Sequence, residues 1–182
     1  AKGDVVRTYS ATNRAPEEVS WAGIDDAGKR VPDGKYTAEL EVVYTNGSQP
    51  RAVSSPFSVD NHFPQVEVSA PVMLFSPDGK SRLQSITISQ GSSREDLWEG
   101  EIRTSRDERV RGWYWKGRAA DVTWDGKDEN GNTVPDGYYT YTVRARTAAG
   151  NATVKELRGI QVDTRPTPAY VTASSPGFSP NG

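Results

Sequence analysis

Hydrophobic and polar residues alternate with a period of two along most of the chain, which is typical of strands that bury one face. The clearest case is residues 138–146, where Tyr139, Tyr141, Val143 and Ala145 alternate with threonine and arginine. Clusters of Gly, Asp, Asn and Pro separate the candidate strands and supply the backbone angles that tight turns require. No segment shows a helical period longer than one turn. The pattern therefore predicts an all-β protein built as a sandwich or barrel.

Six further segments have the composition of strands. They are residues 35–45, 83–90, 97–104, 108–115, 120–124 and 153–162. The inward-facing positions of the second half of the chain predict its core. That core should include Trp124, Tyr139, Tyr141, Val143 and Val162.

The chain repeats itself at a constant spacing of 103 residues, since Trp21 recurs as Trp124 and Tyr36 as Tyr139. The same shift relates two longer motifs, Val-Pro-Asp-Gly (31–34 and 134–137) and Phe-Ser-Pro-Asp/Asn-Gly (75–79 and 178–182). A register without gaps means that loops as well as strands have kept their lengths. The spacing suits a domain of about 100 residues and is too long for a solenoid unit of roughly 20–50. The sequence therefore predicts tandem domains.

The phase of the repeat predicts three parts. Residues 1–61 would be the C-terminal half of one repeat, residues 62–166 a complete repeat, and residues 167–182 the first strand of a following one, with that strand at 169–174. The chain starts without Met and stops inside the second Phe-Ser-Pro motif, so we expect a fragment of a longer protein. The connecting segments 60–64 and 163–168 contain proline, which stiffens a linker. A rod-like arrangement is expected.

Two motifs identify the type of domain. Tyr36 and Tyr139 each follow an Asp-Gly turn, as does the tyrosine of the tyrosine corner in immunoglobulin-like domains. Residues 124–141 resemble the WDG-x-D-x-x-G-x-x-V-x-x-G-x-Y-x-Y signature of the FlgD-like Ig-like domains and the related Fn3-like domains of bacterial surface proteins. The first repeat departs from this signature at Ala22, where the aspartate of Trp-Asp-Gly is missing.

The resemblance implies tandem immunoglobulin-like (Fn3/FlgD-like) antiparallel β-sandwiches, with Trp21, Trp124, Tyr36 and Tyr139 in structural roles. It also implies a non-catalytic structural, spacer or interaction module in a bacterial cell-envelope (periplasmic or surface) or secreted protein. The neighbouring repeats would be its first partners. An accessory domain of a surface protease is a second possibility, because envelope subtilases carry similar domains.

Charge and composition exclude several other classes. The net charge is −2 and the sequence pI about 5.5, so no basic field indicates a nucleic-acid partner. No apolar run approaches the ~20 residues needed for membrane insertion. The chain has no cysteine and one histidine, His62, which lies in a linker. No catalytic constellation is visible, so we predict no enzymatic activity and no cofactor.

One acidic loop has ligands that calcium could use. Asp125, Asp128 and Asn130 present oxygen atoms at loop spacing. The loop lacks the alternate spacing and the bidentate glutamate of an EF-hand, and Ala22 replaces Asp125 in the first repeat. The favoured interpretation is an Asx-rich hairpin turn without a metal, and calcium is the alternative.

A second candidate site mixes cations with aromatic rings. Arg111, Trp113, Tyr114 and Trp115 lie close together, whereas the first repeat has only Tyr9 at the aligned place. These rings could bind a glycan or the cell wall if they are exposed and coplanar, or they could pack within the domain or against a neighbour. Regular alternation would place Val110 and Tyr114 on one face of the strand and the tryptophans on the other.

A half sandwich at residues 1–61 would leave strand edges and one apolar face uncovered, which favours association. We therefore predict that strands of a neighbouring chain cover this part, with segment 169–174 of a second copy as the candidate. The result would be head-to-tail self-association.

Overall fold

The computed structural model describes residues 3–172 and residue 177. Within these residues all regular secondary structure is strand, and no helix is long and apolar enough to cross a membrane. The strands are β1 (Gly34–Tyr36), β2 (Glu39–Glu41), β3 (Arg51–Val53), β4 (Phe57–Val59), β5 (Val66–Ser69), β6 (Leu74–Phe75), β7 (Ile86–Ser92), β8 (Glu95–Thr104), β9 (Arg109–Gly117), β10 (Val122–Trp124), β11 (Gly137–Arg146) and β12 (Ala152–Val162).

Strands β5 to β12 form two packed sheets, here called the central sandwich. One sheet has three strands in the order β10-β7-β5, and the other has five in the order β6-β12-β11-β8-β9. All neighbouring pairs are antiparallel except β6, which runs parallel to β12. The predicted all-β sandwich is confirmed.

The inward-facing residues of the two sheets form one core. The five residues that the alternation assigned to this core are all buried. The largest fully buried side chains are Trp98, Trp124, Tyr141, Ile88, Ile102 and Ile160. Burying each of the three isoleucines stabilises the sandwich by roughly 1.5–3 kcal/mol.

The turn between β10 and β11 is closed by two aromatic residues. The Tyr139 hydroxyl donates to the Pro135 carbonyl at 2.6 Å, and the Trp124 indole donates to the Lys127 carbonyl at 2.9 Å. The Trp124 ring also lies edge-on to Tyr139 and to Phe75, with centroid separations of 5.1 and 5.4 Å. This is the backbone-directed tyrosine of a tyrosine corner.

Residues 3–59, here called the N-terminal segment, contain two two-stranded sheets, β1-β4 and β2-β3. The same local bonds occur there: the Tyr36 hydroxyl donates to the Pro32 carbonyl at 2.8 Å, and the Trp21 indole to the Ile24 carbonyl at 2.8 Å. An isolated bridge joins Ile24 to Arg30, and its counterpart 103 residues later joins Lys127 to Thr133. Local geometry is therefore shared at this spacing. The division of the chain into three domains remains a prediction.

One predicted strand is divided in the structure. Residues 35–45 form the short strands β1 and β2, whereas their counterpart β11 is continuous. The segment between β3 and β4, which runs alongside, contains Pro56, and proline has no amide hydrogen to donate to a strand ladder. The Ala38 amide donates instead to the Ser54 hydroxyl at 3.0 Å, so the ladder is interrupted at this point.

The C-terminal predictions lie largely beyond what the structure describes. Residues 167–172 are not in a strand, and the rest of the predicted strand 169–174 falls outside the described residues. The second Phe-Ser-Pro motif, residues 178–182, is also outside them.

Candidate functional site

The aromatic strand β9 does not present its rings on one surface. Trp115 lies opposite Trp98 of β8, and Trp113 lies opposite Gly100. Both rings pack against the core, and Trp113 meets Tyr141 edge-on at 6.3 Å. They are only partly buried because β9 is the edge strand of its sheet.

A register shift in the pairing of β9 with β8 changes the expected alternation. Arg111 and Arg109 pair with consecutive residues of β8, so Val110 is the extra residue of a bulge. Val110 is buried in the same core that Trp113 and Trp115 contact. The prediction that Val110 shares a face with Tyr114 is therefore wrong, because it assumed an unbroken period of two.

Tyr114 points away from the tryptophans and is 60% exposed. Its hydroxyl accepts a hydrogen bond from Arg109 at 3.2 Å. Arg111 lies within the strand, with a nitrogen 3.3 Å from an Asp125 oxygen and its guanidinium carbon 5.7 Å from the centre of the Trp113 ring. The four predicted contact residues are thus neighbours, but they do not form a coplanar stacking surface.

The acidic loop uses its carboxylates to hold its own backbone. Asp128 accepts the amides of Asn130 and Asn132 at 2.9 and 2.8 Å, and the bond from Asn132 is the main reason that the pKa of Asp128 is lowered. Asp125 accepts the Lys127 amide at 3.3 Å and pairs with Arg111. This geometry is that of an Asx turn. Across the described residues, no three His, Cys, Asp or Glu side chains are grouped so as to hold a metal ion.

Residues 60–64, here called the joint, are held by side chains from distant parts of the chain. The side-chain amide of Asn151 donates to two carbonyls of the joint, those of Asp60 and His62, both at 2.8 Å. His62 Nε2 lies 3.0 Å from Glu95 Oε1. Asn151 and Glu95 both belong to the central sandwich, so the joint is fastened to it at two points.

The other side of the joint is fastened to the N-terminal segment. The backbone amide and side-chain amide of Asn61 donate to Asp33 Oδ1 at 2.7 and 2.8 Å, and the side chain also donates to the Val31 carbonyl at 3.0 Å. The two bonds from Asn61 to Asp33 lower the pKa of that carboxyl group. At the next linker, the backbone amide and hydroxyl of Thr164 donate to Asp136 Oδ1, both at 2.9 Å. The aspartate of each Val-Pro-Asp-Gly turn therefore holds the linker that follows.

The sequence contained part of this information. Asp33 and Asp136 occupy equivalent places in a repeated motif, and polar residues follow at equivalent places in both linkers. Asn151 has no such signal, because its counterpart is Ser48. Glu95 has no counterpart in the sequence at all, so the repeat could not identify it.

Protonation of His62 should strengthen its bond to Glu95. That bond is the main reason that the pKa of His62 is raised above the ordinary 6.5. Because the bond favours the charged imidazole, its contribution to stability is fully present below the ordinary pKa of histidine. It is lost as the pH rises through the raised value.

We expect an NMR titration to give a pKa above 6.5 for His62, whose imidazole signal is unique in this chain. Glu95→Gln should return that pKa toward the ordinary value. Glu67→Gln, which removes an exposed carboxylate paired with Lys155, is the control and should leave it raised. If the pKa of His62 were the same in all three proteins, the bond between His62 and Glu95 would be contradicted.

Two packed, mainly antiparallel sheets with a tyrosine corner define an immunoglobulin-like β-sandwich. The family model of the FlgD Ig-like domain matches residues 86–149, which run from the start of β7 to just beyond β11. This match is consistent with a FlgD-like Ig-like domain at residues 86–149, the resemblance that the signature at residues 124–141 indicated. Domains of this family are structural modules of bacterial flagellar or envelope proteins. No curated protein matches the chain significantly.

Proposed function

We propose that the chain is a non-catalytic spacer in a multidomain bacterial envelope or secreted protein, and that its joint fixes the direction in which consecutive parts follow each other. The observation that carries this proposal is the pair of hydrogen bonds that the Asn151 side chain donates to the carbonyls of Asp60 and His62. The FlgD Ig-like match supports the type of module.

The bonding of the joint is dense enough to order it. Fixing the backbone of one residue costs about 1–2 kcal/mol, and a single hydrogen bond returns only about 0.5–1.5 kcal/mol. A linker held by one bond would therefore stay mobile. The carbonyls of Asp60 and His62 accept bonds from Asn151 of the central sandwich, and Asn61 donates to Asp33 of the N-terminal segment. Pro64, which is fully buried, follows them.

The contacts of His62 support a structural role for this side chain. His62 and Ser93 both bond to Glu95 Oε1, at 3.0 and 2.5 Å. A nucleophilic serine would instead have to bond to the imidazole that takes its proton. We therefore propose no reaction for this chain.

A distance measurement across the joint tests the proposal. The chain has no cysteine, so Ser48→Cys and Ser89→Cys give two unique spin labels on exposed positions in the N-terminal segment and in the central sandwich. Pulsed electron paramagnetic resonance should show one narrow distance distribution. Asn151→Ala should broaden it, because both carbonyl bonds are lost.

Asn130→Ala is the matched control, since the Asn130 side chain is exposed and lies in a turn that does not contact the joint. It should leave the distribution narrow. A broad distribution in the parent protein would overturn the proposal, as would an Asn151→Ala variant that is as narrow as the control.

A further inference from the structure

A polar pocket of about 530 Å³ lies where the joint meets the central sandwich. Its walls come from the joint, from the chain around the start of β8 and the end of β9, and from the turn between β11 and β12. The volume is within the range of about 300–1,000 Å³ in which proteins bind small molecules. We call it the joint pocket, and its lining side chains determine which class of molecule it fits.

Three cations line the joint pocket, namely Arg94, Lys116 and Arg146. All three residues are exposed, and among the described residues none of them is paired with a carboxylate. The neighbouring Arg144, in contrast, is paired with Glu99 at 2.7 Å. Cations that line one pocket add their potentials, so together they attract an anion more strongly than a single exposed charge can.

Most carboxylates of the joint pocket are already bonded to the protein. Asp60 accepts the backbone amide of His62 at 2.8 Å. The Glu95 side chain is only 7% exposed, accepts a bond from Ser93 at 2.5 Å and lies 3.0 Å from His62 Nε2. Asp96 is the one lining carboxylate that has no such bond among the described residues. Its charge opposes anion binding, and removing that charge should therefore favour an anion.

The wall of the joint pocket also includes Thr147, whose buried hydroxyl has no hydrogen-bond partner among the described residues. Thr104 begins an equivalent turn between β8 and β9, and there the hydroxyl accepts the amides of Arg106 and Glu108, both at 3.2 Å. Thr147 begins its turn with the same backbone bonds but makes no such side-chain contact. A buried hydroxyl without a partner costs stability, unless a ligand completes its bonding.

We propose that the joint pocket binds a phosphate group. Arg94, Lys116 and Arg146 would neutralise its charge, and the Thr147 hydroxyl would donate to one of its oxygens. A phosphate monoester carries about 1.5–2 negative charges at pH 7 and three acceptor oxygens, which suits three cations and a hydroxyl better than the single charge and two oxygens of a carboxylate. The volume of the pocket favours a phosphate ester over the free ion, because it leaves room for an organic part.

This inference goes beyond the spacer proposal and does not rest on it. A chain that binds phosphate but gives a broad distance distribution across the joint would keep this inference and overturn the spacer proposal. A chain with a narrow distribution and no affinity for phosphate would do the reverse.

Binding is measured on the full chain by NMR, with the imidazole signals of His62 as the reporter. His62 lines the pocket and is the one histidine of the chain. Glycerol phosphate should shift these signals until they saturate, at constant pH and ionic strength, whereas chloride should not. Inorganic phosphate is titrated in parallel to distinguish the two sources. Weaker binding of the inorganic ion would indicate an ester, and equal binding would indicate that the phosphate group alone is recognised.

The charge of the site is tested with substitutions of opposite sign. Lys116→Gln should weaken the binding of glycerol phosphate about two- to fivefold, as expected for one exposed ion pair, and adding Arg94→Gln should bring the loss to about tenfold. Asp96→Asn should strengthen binding. Arg158→Gln is the control, because Arg158 is an exposed arginine that pairs with Glu156 and does not line the pocket, and it should bind like the parent.

Thr147→Val distinguishes a ligand-binding hydroxyl from a structural one. Valine has nearly the same shape but cannot donate, so the affinity for glycerol phosphate should fall about tenfold. Without phosphate, the midpoint of chemical denaturation should not fall, since the hydroxyl has no partner among the described residues. Thr104→Val is the matched control and should do the opposite, because its hydroxyl accepts two amides and does not line the pocket.

Four results would each overturn the proposal. They are an absence of saturable shifts of the His62 signals with either phosphate compound, equal affinity in Lys116→Gln and Arg158→Gln, weaker binding in Asp96→Asn, and equal destabilisation by Thr147→Val and Thr104→Val in the absence of phosphate. The last result would mean that the Thr147 hydroxyl bonds within the protein.

Discussion

Gly100→Ala is expected to destabilise the central sandwich strongly. A Cβ at this position of β8 would lie 2.5 Å from the Tyr141 hydroxyl and 2.7 and 2.8 Å from two atoms of the Trp115 ring. Both rings would have to move, and overpacking of this kind costs about 1–3 kcal/mol. The Tyr141 hydroxyl also bonds to Gln90 at 2.8 Å and so joins the two sheets. Loss of that bond would add about 1 kcal/mol.

The free energy of unfolding of the full chain, measured by chemical denaturation, checks this result. Gly91→Ala is the matched control, because Gly91 is also in a strand and a Cβ there would have nothing within 4 Å. The two substitutions change the entropy of the unfolded chain equally, so their difference isolates the packing conflict. Similar losses in both variants would show that the contact between Gly100 and the two rings is not tight.

Phe75→Ala is expected to lower the free energy of unfolding far more than truncation of Leu74, the other residue of strand β6. Phe75 is 2% exposed, and its ring packs against Trp124, which is itself fully buried. Removing a buried phenylalanine side chain costs about 3–5 kcal/mol, because a cavity remains beside the indole. The free energy of unfolding should fall by this amount.

Leu74→Ala separates this effect from the pairing of β6 with β12. Leu74 is in the same two-residue strand, pairs beside Gln161 and is 49% exposed. Its truncation should cost less than about 1 kcal/mol, since little buried surface is lost. If Leu74→Ala were as destabilising as Phe75→Ala, the backbone pairing of this strand rather than the Phe75 ring would hold the segment.

Strands that are marked by a local sequence pattern could be predicted, whereas strands and bulges that depend on a distant partner could not. Strand β11 is long, and every second residue faces the core, so its alternation alone identified it. Strand β6 has two residues and pairs with a strand more than eighty positions away, so no local pattern marks it. The bulge at Val110 likewise depends on the partner strand, and it moved that residue to the face opposite the expected one.

The bonding of the joint also depends on distant residues, so the sequence predicted its position but not its contacts. Proline and a change in composition marked residues 60–64 as a linker. Whether a linker is stiff depends on what its carbonyls and amides bind, and Asn151 is about ninety positions away from the carbonyls that it holds. The turn aspartates were visible as repeated residues, but their acceptor role required the position of the following linker in space.

The parallel arrangement of β6 and β12 has a mechanical consequence. In sequence, β6 follows only β5 in the central sandwich and β12 ends it. Once β5 has separated from β7, a pulling force along the chain would draw β6 from its start and β12 from its end. In a parallel pair those two points lie at opposite ends, and the load acts along the strands. The bonds from Gln161 to Met73 and from Asp163 to Phe75 would share the tension and rupture together instead of unzipping one after the other.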